Sequence, residues 1–254
     1  MTGISIRNLW KAFPNAEASG EVLVAVQDVS LDVAEREFVC VLGPSGCGKS
    51  TLLRVAAGLE QPSLGTVETQ SRPSVVFQEH GVFPWLTVAE NIAYPLKLRR
   101  VPKAQRRERV AELLELVGLT DFASYYPSQI SGGMRQRTSV ARALADDGNV
   151  LLMDEPFGAL DEQTRVALQQ ELLRIWEQTS KSVLFITHSV DEALTLADRV
   201  VVMSHRPGRI IDDIEIPFGR PRDIKELRRD PRYGEITVKL WDLLERQPDE
   251  EVAA

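Results

Sequence analysis

Gly43-Pro44-Ser45-Gly46-Cys47-Gly48-Lys49-Ser50-Thr51 decides how the rest of this sequence is read. It fits G-x-x-x-x-G-K-[ST], a glycine-rich loop that cradles phosphate groups. The apolar run Phe38-Val39-Cys40-Val41-Leu42 before it predicts a buried strand. Leu52, Leu53, Val55 and Ala56 after it sit at helical spacing. Glycines let backbone N–H groups turn inward on an anion, and a helix beginning near Lys49 adds its positive end. Lys49 would reach the terminal phosphates as a point charge, and the Ser50 hydroxyl would hold Mg²⁺. Chance produces the bare pattern in roughly one chain in a hundred of this length. With the strand before and the helix after, the stretch reads as a nucleoside triphosphate site.

The length of 254 residues suits one large domain with a real hydrophobic core. Thirty basic and 37 acidic residues leave a net charge of −7, which argues against general adhesion to nucleic acid or anionic lipid. The dense basic stretch Lys97, Arg99, Arg100, Lys103, Arg106, Arg107, Arg109 reads as a solvated helix face. Cys40 falls in a buried strand and Cys47 inside the loop, without metal spacing or a disulfide framework, so a reducing compartment fits. The N-terminus lacks a signal-peptide layout, and no apolar run approaches the roughly 18–20 residues needed to cross a bilayer. The expectation is a protein that is soluble when isolated and reaches any membrane through a partner.

Residues 4–9 and 22–33 alternate as strands of a small sheet, and 74–77 predicts a short strand ending at Gln78. Between 81 and 147 the pattern turns helical, with helices over 87–98, 103–117 and 132–145; Val110, Leu113, Leu114 and Val117 make one apolar face. Strands at 150–153, 182–187, 199–203 and 209–216 then alternate with helices at 162–179 and 190–197, which predicts a mostly parallel sheet. The pattern predicts an α/β fold class with a small antiparallel β subdomain and an inserted α-helical subdomain, and the phosphate-loop NTPase core with its mostly parallel sheet resembles the RecA-like ATPases. Residues 1–254 make a single domain, with 1–80 and 148–216 as nucleotide-binding core and 81–147 as helical insertion. In the tail 217–254, Tyr233, Ile236, Leu240, Leu243 and Leu244 sit at helical spacing, and the acids at 249–251 are expected to fray.

Asp154 and Glu155 close the strand 150–153. One carboxylate there would hold the Mg²⁺ shell, and the other would orient or deprotonate water. Without the phosphate loop, the same pair would read as a solvated strand end. His188 follows the strand 182–187 at the carboxyl edge where open α/β sheets bind ligands, which points to a γ-phosphate contact over a purely structural role. Gln78 also ends a strand, a position that alone means only solvation. Ser131-Gly132-Gly133 opens a helix, so it is either an ordinary N-cap or a second anion-binding helix end.

Taken in order, the loop 43–51, Gln78, Ile130-Ser131-Gly132-Gly133-Met134-Arg135-Gln136-Arg137, Val150–Phe157, Ala159-Leu160-Asp161 and Thr187-His188 resemble the ATP-binding-cassette ATPases. The resemblance covers residues 4 to 245. It implies that the loop from Gly43, Pro44, Ser45, Gly46, Cys47 and Gly48 to Lys49, Ser50 and Thr51 binds ATP phosphates and Mg²⁺. It further implies that Asp154 is the Mg²⁺-linked acid, Glu155 the catalytic base and His188 the γ-phosphate sensor. Gln78 would join Mg²⁺ or water to the transport partner. Ser131, Gly132 and Gly133 would close on the ATP of a second subunit, with Asp161 at the same seam, giving a homodimer with two composite sites. Phe13 stands where the family places an adenine-stacking aromatic, with a core role for it as the close alternative.

A finer resemblance is carried by Val76-Phe77-Gln78-Glu79-His80, Phe83-Pro84-Trp85-Leu86-Thr87, the run from Ser131 and Arg206-Pro207-Gly208-Arg209-Ile210. These are similar to ATPase subunits of bacterial importers for nitrate, sulfonates and taurine. Such a likeness implies integral-membrane permease subunits as partners, a solute-binding protein acting indirectly, no nucleic acid, and a place on the cytoplasmic face of the membrane. Phe83–Leu86 would lie in the groove that receives the permease's coupling helix, although these aromatics also suit a subdomain core. The sequence departs from the family pattern at several points. Arg36 stands where a turn glycine is usual, and Met134 replaces the usual Gln. The segment between Gly65 and Ser74 is short, which predicts a missing hairpin in the small sheet. The tail is too short for a ligand-sensing domain.

Overall fold

In the computed structural model, which describes residues 2–14, 22–78, 81–146, 148–158, 162–179 and 181–245, two sheets organise the chain. The strands are β1 (Thr2–Pro14), β2 (Val22–Ala34), β3 (Phe38–Leu42), β4 (Leu64–Thr69), β5 (Ser74–Val76), β6 (Val150–Asp154), β7 (Ser182–Thr187), β8 (Arg199–Met203) and β9 (Ile210–Glu215). The helices are α1 (Lys49–Ala56), α2 (Val88–Leu98), α3 (Lys103–Leu116), α4 (Gly132–Leu144), α5 (Glu162–Thr179), α6 (Val190–Leu196), α7 (Ile224–Leu227) and α8 (Pro231–Glu245). The larger sheet runs β5-β6-β7-β3-β8-β9. Its first five strands are parallel and β9 closes the edge antiparallel to β8. The α/β core with its mostly parallel sheet and its small antiparallel companion is thus observed.

Parallel strands covered on both faces read as unbroken apolar runs, and β3, β6 and β7 are buried at every residue. Successive side chains point to opposite faces. Phe38, Cys40 and Leu42 face the helices, packing with Ile92, Val140, Leu172, Leu194 and Leu240. Val39 and Val41 face the other way, onto α1 and the small sheet through Leu52, Leu53, Ile4, Ile6 and Val29. The central strands therefore stand between two cores, and their carboxyl ends are held where loops leave the sheet.

The small sheet corrects the sequence reading. It has three strands in the order β2-β1-β4, whereas the sequence marks two; β4 leads straight on to β5 in the larger sheet, so the short segment forms no hairpin. β4 was invisible because Leu64-Gly65-Thr66-Val67-Glu68-Thr69 is an edge strand with no fully buried residue, so it lacks the alternation that marks a half-buried strand. Arg36 takes φ +61°, the left-handed conformation that a turn glycine would supply, and its N–H donates to Ser182 Oγ at 3.2 Å. The tail closes on the core: Tyr233, Ile236, Leu243 and Leu244 of α8 pack against it beside the fully buried Leu240. The Tyr233 hydroxyl and the Arg228 guanidinium both bond to Asp191 at the start of α6. The acids at 249–251 lie outside the described residues.

Candidate functional site

The loop 43–48 leaves β3 and runs into α1. Gly46 and Gly48 have φ of +78° and +106°, and a Cβ on Gly48 would stand 2.4 Å from the Ala25 carbonyl oxygen, so position 48 requires glycine twice over. Lys49 is buried, and its ammonium donates to the carbonyls of Gly43 and Pro44, each at 2.8 Å. The same nitrogen lies 3.8 Å from Glu155 Oε1. Burial keeps the Cys47 thiol above its usual range, so it sits in the loop as a neutral, inert group.

Ser50 Oγ donates to Asp154 Oδ1 at 2.9 Å, joining α1 to the end of β6 across 104 residues of chain. Burial pushes the Asp154 carboxyl above its ordinary range; the Ser50 hydrogen bond opposes this, and the charge of Glu155 adds to it. A buried carboxylate beside a hydroxyl is a pair of hard oxygen donors. It fits Mg²⁺, which takes one or two protein oxygens and completes its shell with phosphates and water.

Glu155 leaves the strand at φ +41°, a conformation rare outside glycine, and its N–H donates to the Ile186 carbonyl at 3.0 Å. This bend carries its carboxylate over the sheet edge, where Oε2 lies 3.0 Å from His188 Nδ1. His188 in turn follows β7, and the backbone beyond it is fixed by a chain of hydrogen bonds. The Ser189 N–H donates to Thr187 Oγ1 at 3.0 Å, and that hydroxyl donates to buried Glu192 at 2.5 Å. Gln78 reaches the same place from β5: a Cβ on Gly158 would lie 3.8 Å from Gln78 Nε2 and 4.0 Å from Glu155 Oε2. A cleft of about 350 Å³ opens beside Glu155 and His188 and extends to Thr237 and Trp241 of α8.

Lys49, Ser50, Asp154, Glu155, His188 and Gln78 therefore converge, although they come from four separate stretches of sequence. Ser131 and Gly133 do not join them, since their contacts are to α4 and α5. Ser131 Oγ accepts from the Met134 N–H at 3.2 Å as the cap of α4, and a Cβ on Gly133 would press Thr164 at 3.2 Å. Phe13 is half-buried on β1, with the Lys11 ammonium 4.7 Å from its ring centre. Asp161, with Ala159 and Leu160, lies outside the described residues, as do Glu79 and His80. The sequence reading missed Glu192; its signal was an acid four places after His188 inside an apolar helix.

A second concavity, of about 400 Å³, is lined by Phe77, Phe83, Tyr94, Leu98 and Arg142. Phe83 sits between Tyr94 and Trp85, tilted against both rings, with ring centres at 4.6 and 5.5 Å. Trp85 itself is 70% exposed, so it is not part of a core.

Residues 26–158 match the family described as ABC transporter. The chain is 45% identical to the nitrate import ATP-binding protein NrtD of Synechococcus elongatus, over 93% of this chain and 89% of that protein. It is 42% identical to the taurine import ATP-binding protein TauB of Roseobacter denitrificans, over 96% of each. Among solved structures, it resembles the dimeric post-hydrolysis state of the ATP-binding cassette MJ0796 bound to ADP and Pi. That match has a TM-score of 0.73 and 30% identity, over 85% of this chain and all of that one.

Proposed function

Because the chain belongs to the ABC transporter family, we propose that it is the ATP-hydrolysing subunit of an importer, working as a homodimer on the cytoplasmic face of a membrane permease. The observation that carries this is the Glu155–His188 contact at 3.0 Å beside the buried ammonium of Lys49. A carboxylate, an imidazole and a phosphate-seeking lysine at one sheet edge suit attack of water on a terminal phosphate.

In this reading Lys49 and the N–H groups of 43–51 grip the triphosphate of ATP. Ser50, Asp154 and Gln78 would hold Mg²⁺, which when bound would supply countercharge to the phosphates. Glu155 takes a proton from water; the water oxygen bonds to the γ-phosphorus as the bond to the bridging oxygen breaks and ADP leaves. His188 holds the γ-phosphate, and Phe13 stacks on the adenine. Ser131, Gly132 and Gly133 cover the ATP of the second copy, with Asp161 beside them. Their separation from the loop within one chain agrees with a role in trans.

Residues 1–80 and 148–216 serve as the nucleotide-binding part and 81–147 as the helical part that meets the permease, with 217–254 as a tail. Exposed Trp85 beside the 400 Å³ groove is the kind of aromatic anchor that fills a partner's pocket. The names of the relatives support a small solute of the nitrate, sulfonate or taurine kind, delivered by a solute-binding protein that this chain meets only through the permease. Among the described residues no helix is long and apolar enough to cross a membrane, in keeping with attachment through that partner.

Purification from a membrane extract together with its permease, with phosphate released from Mg-ATP and no phosphorylated product, is the expected outcome. Transfer of phosphate to a small molecule, or no association with any membrane subunit, would overturn it.

A further inference from the structure

The run Arg206-Pro207-Gly208-Arg209 has no part in the chemistry above, yet it lies against the phosphate loop. Ser204 closes this turn: its Oγ accepts from the Arg209 N–H at 2.9 Å, and its N–H donates to the Arg209 carbonyl at 2.9 Å. The Ser204 hydroxyl proton is shared between the carbonyls of His205 and Pro207, at 2.8 and 3.0 Å. The turn is moored to β2, because the Gly208 N–H donates to the Ala25 carbonyl at 3.0 Å and the Gly208 carbonyl accepts from the Gln27 N–H at 2.9 Å. A side-chain bond from Arg209 to Gln27 at 2.8 Å adds a third tie.

Three backbones meet here. A Cβ on Gly48 would strike the Ala25 oxygen, the same atom that accepts from Gly208. On Gly208 a Cβ would come within 2.1 Å of the Cys47 carbonyl oxygen and 2.6 Å of Met203 Cε. The methionine end can swing aside. The Cys47 oxygen belongs to a loop fixed at one end by β3 and at the other by α1.

We propose that Gly208 is a positioning residue for nucleotide binding, its bare backbone forming the shelf on which the Cys47 carbonyl rests. A planar trans peptide points its carbonyl and the next N–H in opposite directions. With the Cys47 oxygen turned onto Gly208, the Gly48 N–H is turned to the opposite side, as a phosphate cradle requires. A methyl group at 208 forces the Cys47 oxygen to move by about 1 Å to reach ordinary contact, and a displacement of that size costs up to ~10²-fold in binding or rate. The inference rests on the ATP site proposed above.

The test compares Gly208→Ala with Gly219→Ala, a control position where a Cβ meets nothing within 4 Å. Affinity for a non-hydrolysable ATP analogue with Mg²⁺ is measured by calorimetry on the full chain, beside melting without nucleotide. Gly208→Ala is expected to weaken binding by about tenfold or more and to lower ligand-free melting, because the displaced Cys47 oxygen is backbone, while Gly219→Ala changes neither. Unchanged affinity in Gly208→Ala, whether or not melting falls, overturns the shelf. If that variant does not fold, hydrogen exchange of the wild-type protein decides: the Gly208 and Gln27 amides gain protection on nucleotide binding, and no gain overturns the proposal. Wild-type protein that binds no ATP overturns the site reading beneath it instead.

Discussion

His188 Nδ1 lies 3.0 Å from Glu155 Oε2, a contact between residues 33 apart in the chain that is made possible by adjacent parallel strands β6 and β7. A carboxylate only accepts hydrogen bonds, so the imidazole must carry its proton on Nδ1 toward Glu155. That leaves Nε2 as the atom available for the proposed γ-phosphate contact. The other Glu155 oxygen stands 3.8 Å from the Lys49 ammonium, so the carboxylate is held from both sides before any substrate arrives.

Replacing Glu155 by Gln keeps the oxygen that accepts from His188 and removes the basic site. Turnover is expected to fall by roughly 10²–10⁴-fold, the range of general base catalysis. Nucleotide affinity should not weaken, because the substitution removes a negative charge beside Lys49 that opposes a triphosphate. The variant should therefore accumulate as an ATP-bound dimer, read by size exclusion with Mg-ATP. Wild-type phosphate release in Glu155→Gln would remove it as the base.

Where the sequence spoke plainly, the physics was local. The phosphate loop was legible because Gly48 and Lys49 have few substitutes, and β3, β6 and β7 because a strand buried on both faces reads as an apolar run, with polar residues only at its ends, as at Asp154, Ser182 and Thr187. β4 was hidden because Leu64 and Thr66 face solvent at a sheet edge. The convergence of Gln78, Asp154, Glu155 and His188 on one edge follows from the strand order, which no run of residues encodes by itself. Glu192 does not stand out in the sequence because its meaning lies in Thr187 and Arg165, contacts made across the fold.

Ser131→Arg separates the two halves of the proposed composite site. Ser131 is exposed, and its hydroxyl caps α4, so losing it costs about 0.5–2 kcal/mol, or a few degrees of melting temperature at about 2–4 °C per kcal/mol. ATP binding to the monomer should persist, because Lys49 and Ser50 are untouched. Dimer formation and phosphate release should both be lost. Normal ATPase activity in this variant would refute a role in trans.

Trp85→Ala tests the groove. Phe83 retains Tyr94 and the Arg142 guanidinium, 5.2 Å from its ring centre, so the exposed Trp85 can be removed without opening the core. ATPase activity of the isolated protein should stay within about twofold of wild type, since an exposed surface change is within ±0.5 kcal/mol. Recovery with the permease should fall by ~30-fold if Trp85 is an anchor worth about 2 kcal/mol. Undiminished recovery would place the partner elsewhere.

Glu192 offers a pH test of the scaffold behind His188. Burial is the largest influence on its carboxyl and raises it above the ordinary value of 4.5; the Thr187 hydrogen bond and the nearby Arg165 oppose the rise. A raised carboxyl binds its proton more tightly in the folded chain than in the unfolded one. Its contribution to stability is therefore most favourable at low pH and is lost as the pH climbs from about 4.5 through the raised folded value. Gln at 192 can still accept from Thr187 and does not titrate. The melting temperature of Glu192→Gln minus that of wild type should thus rise with pH across that window and level off above it. Each tenfold difference in proton affinity is about 1.4 kcal/mol, or about 3–5 °C for a chain of this size. A difference that stays flat from pH 4.5 to 8, measured without nucleotide by scanning calorimetry, would mean that Glu192 is held as easily charged as in the unfolded chain.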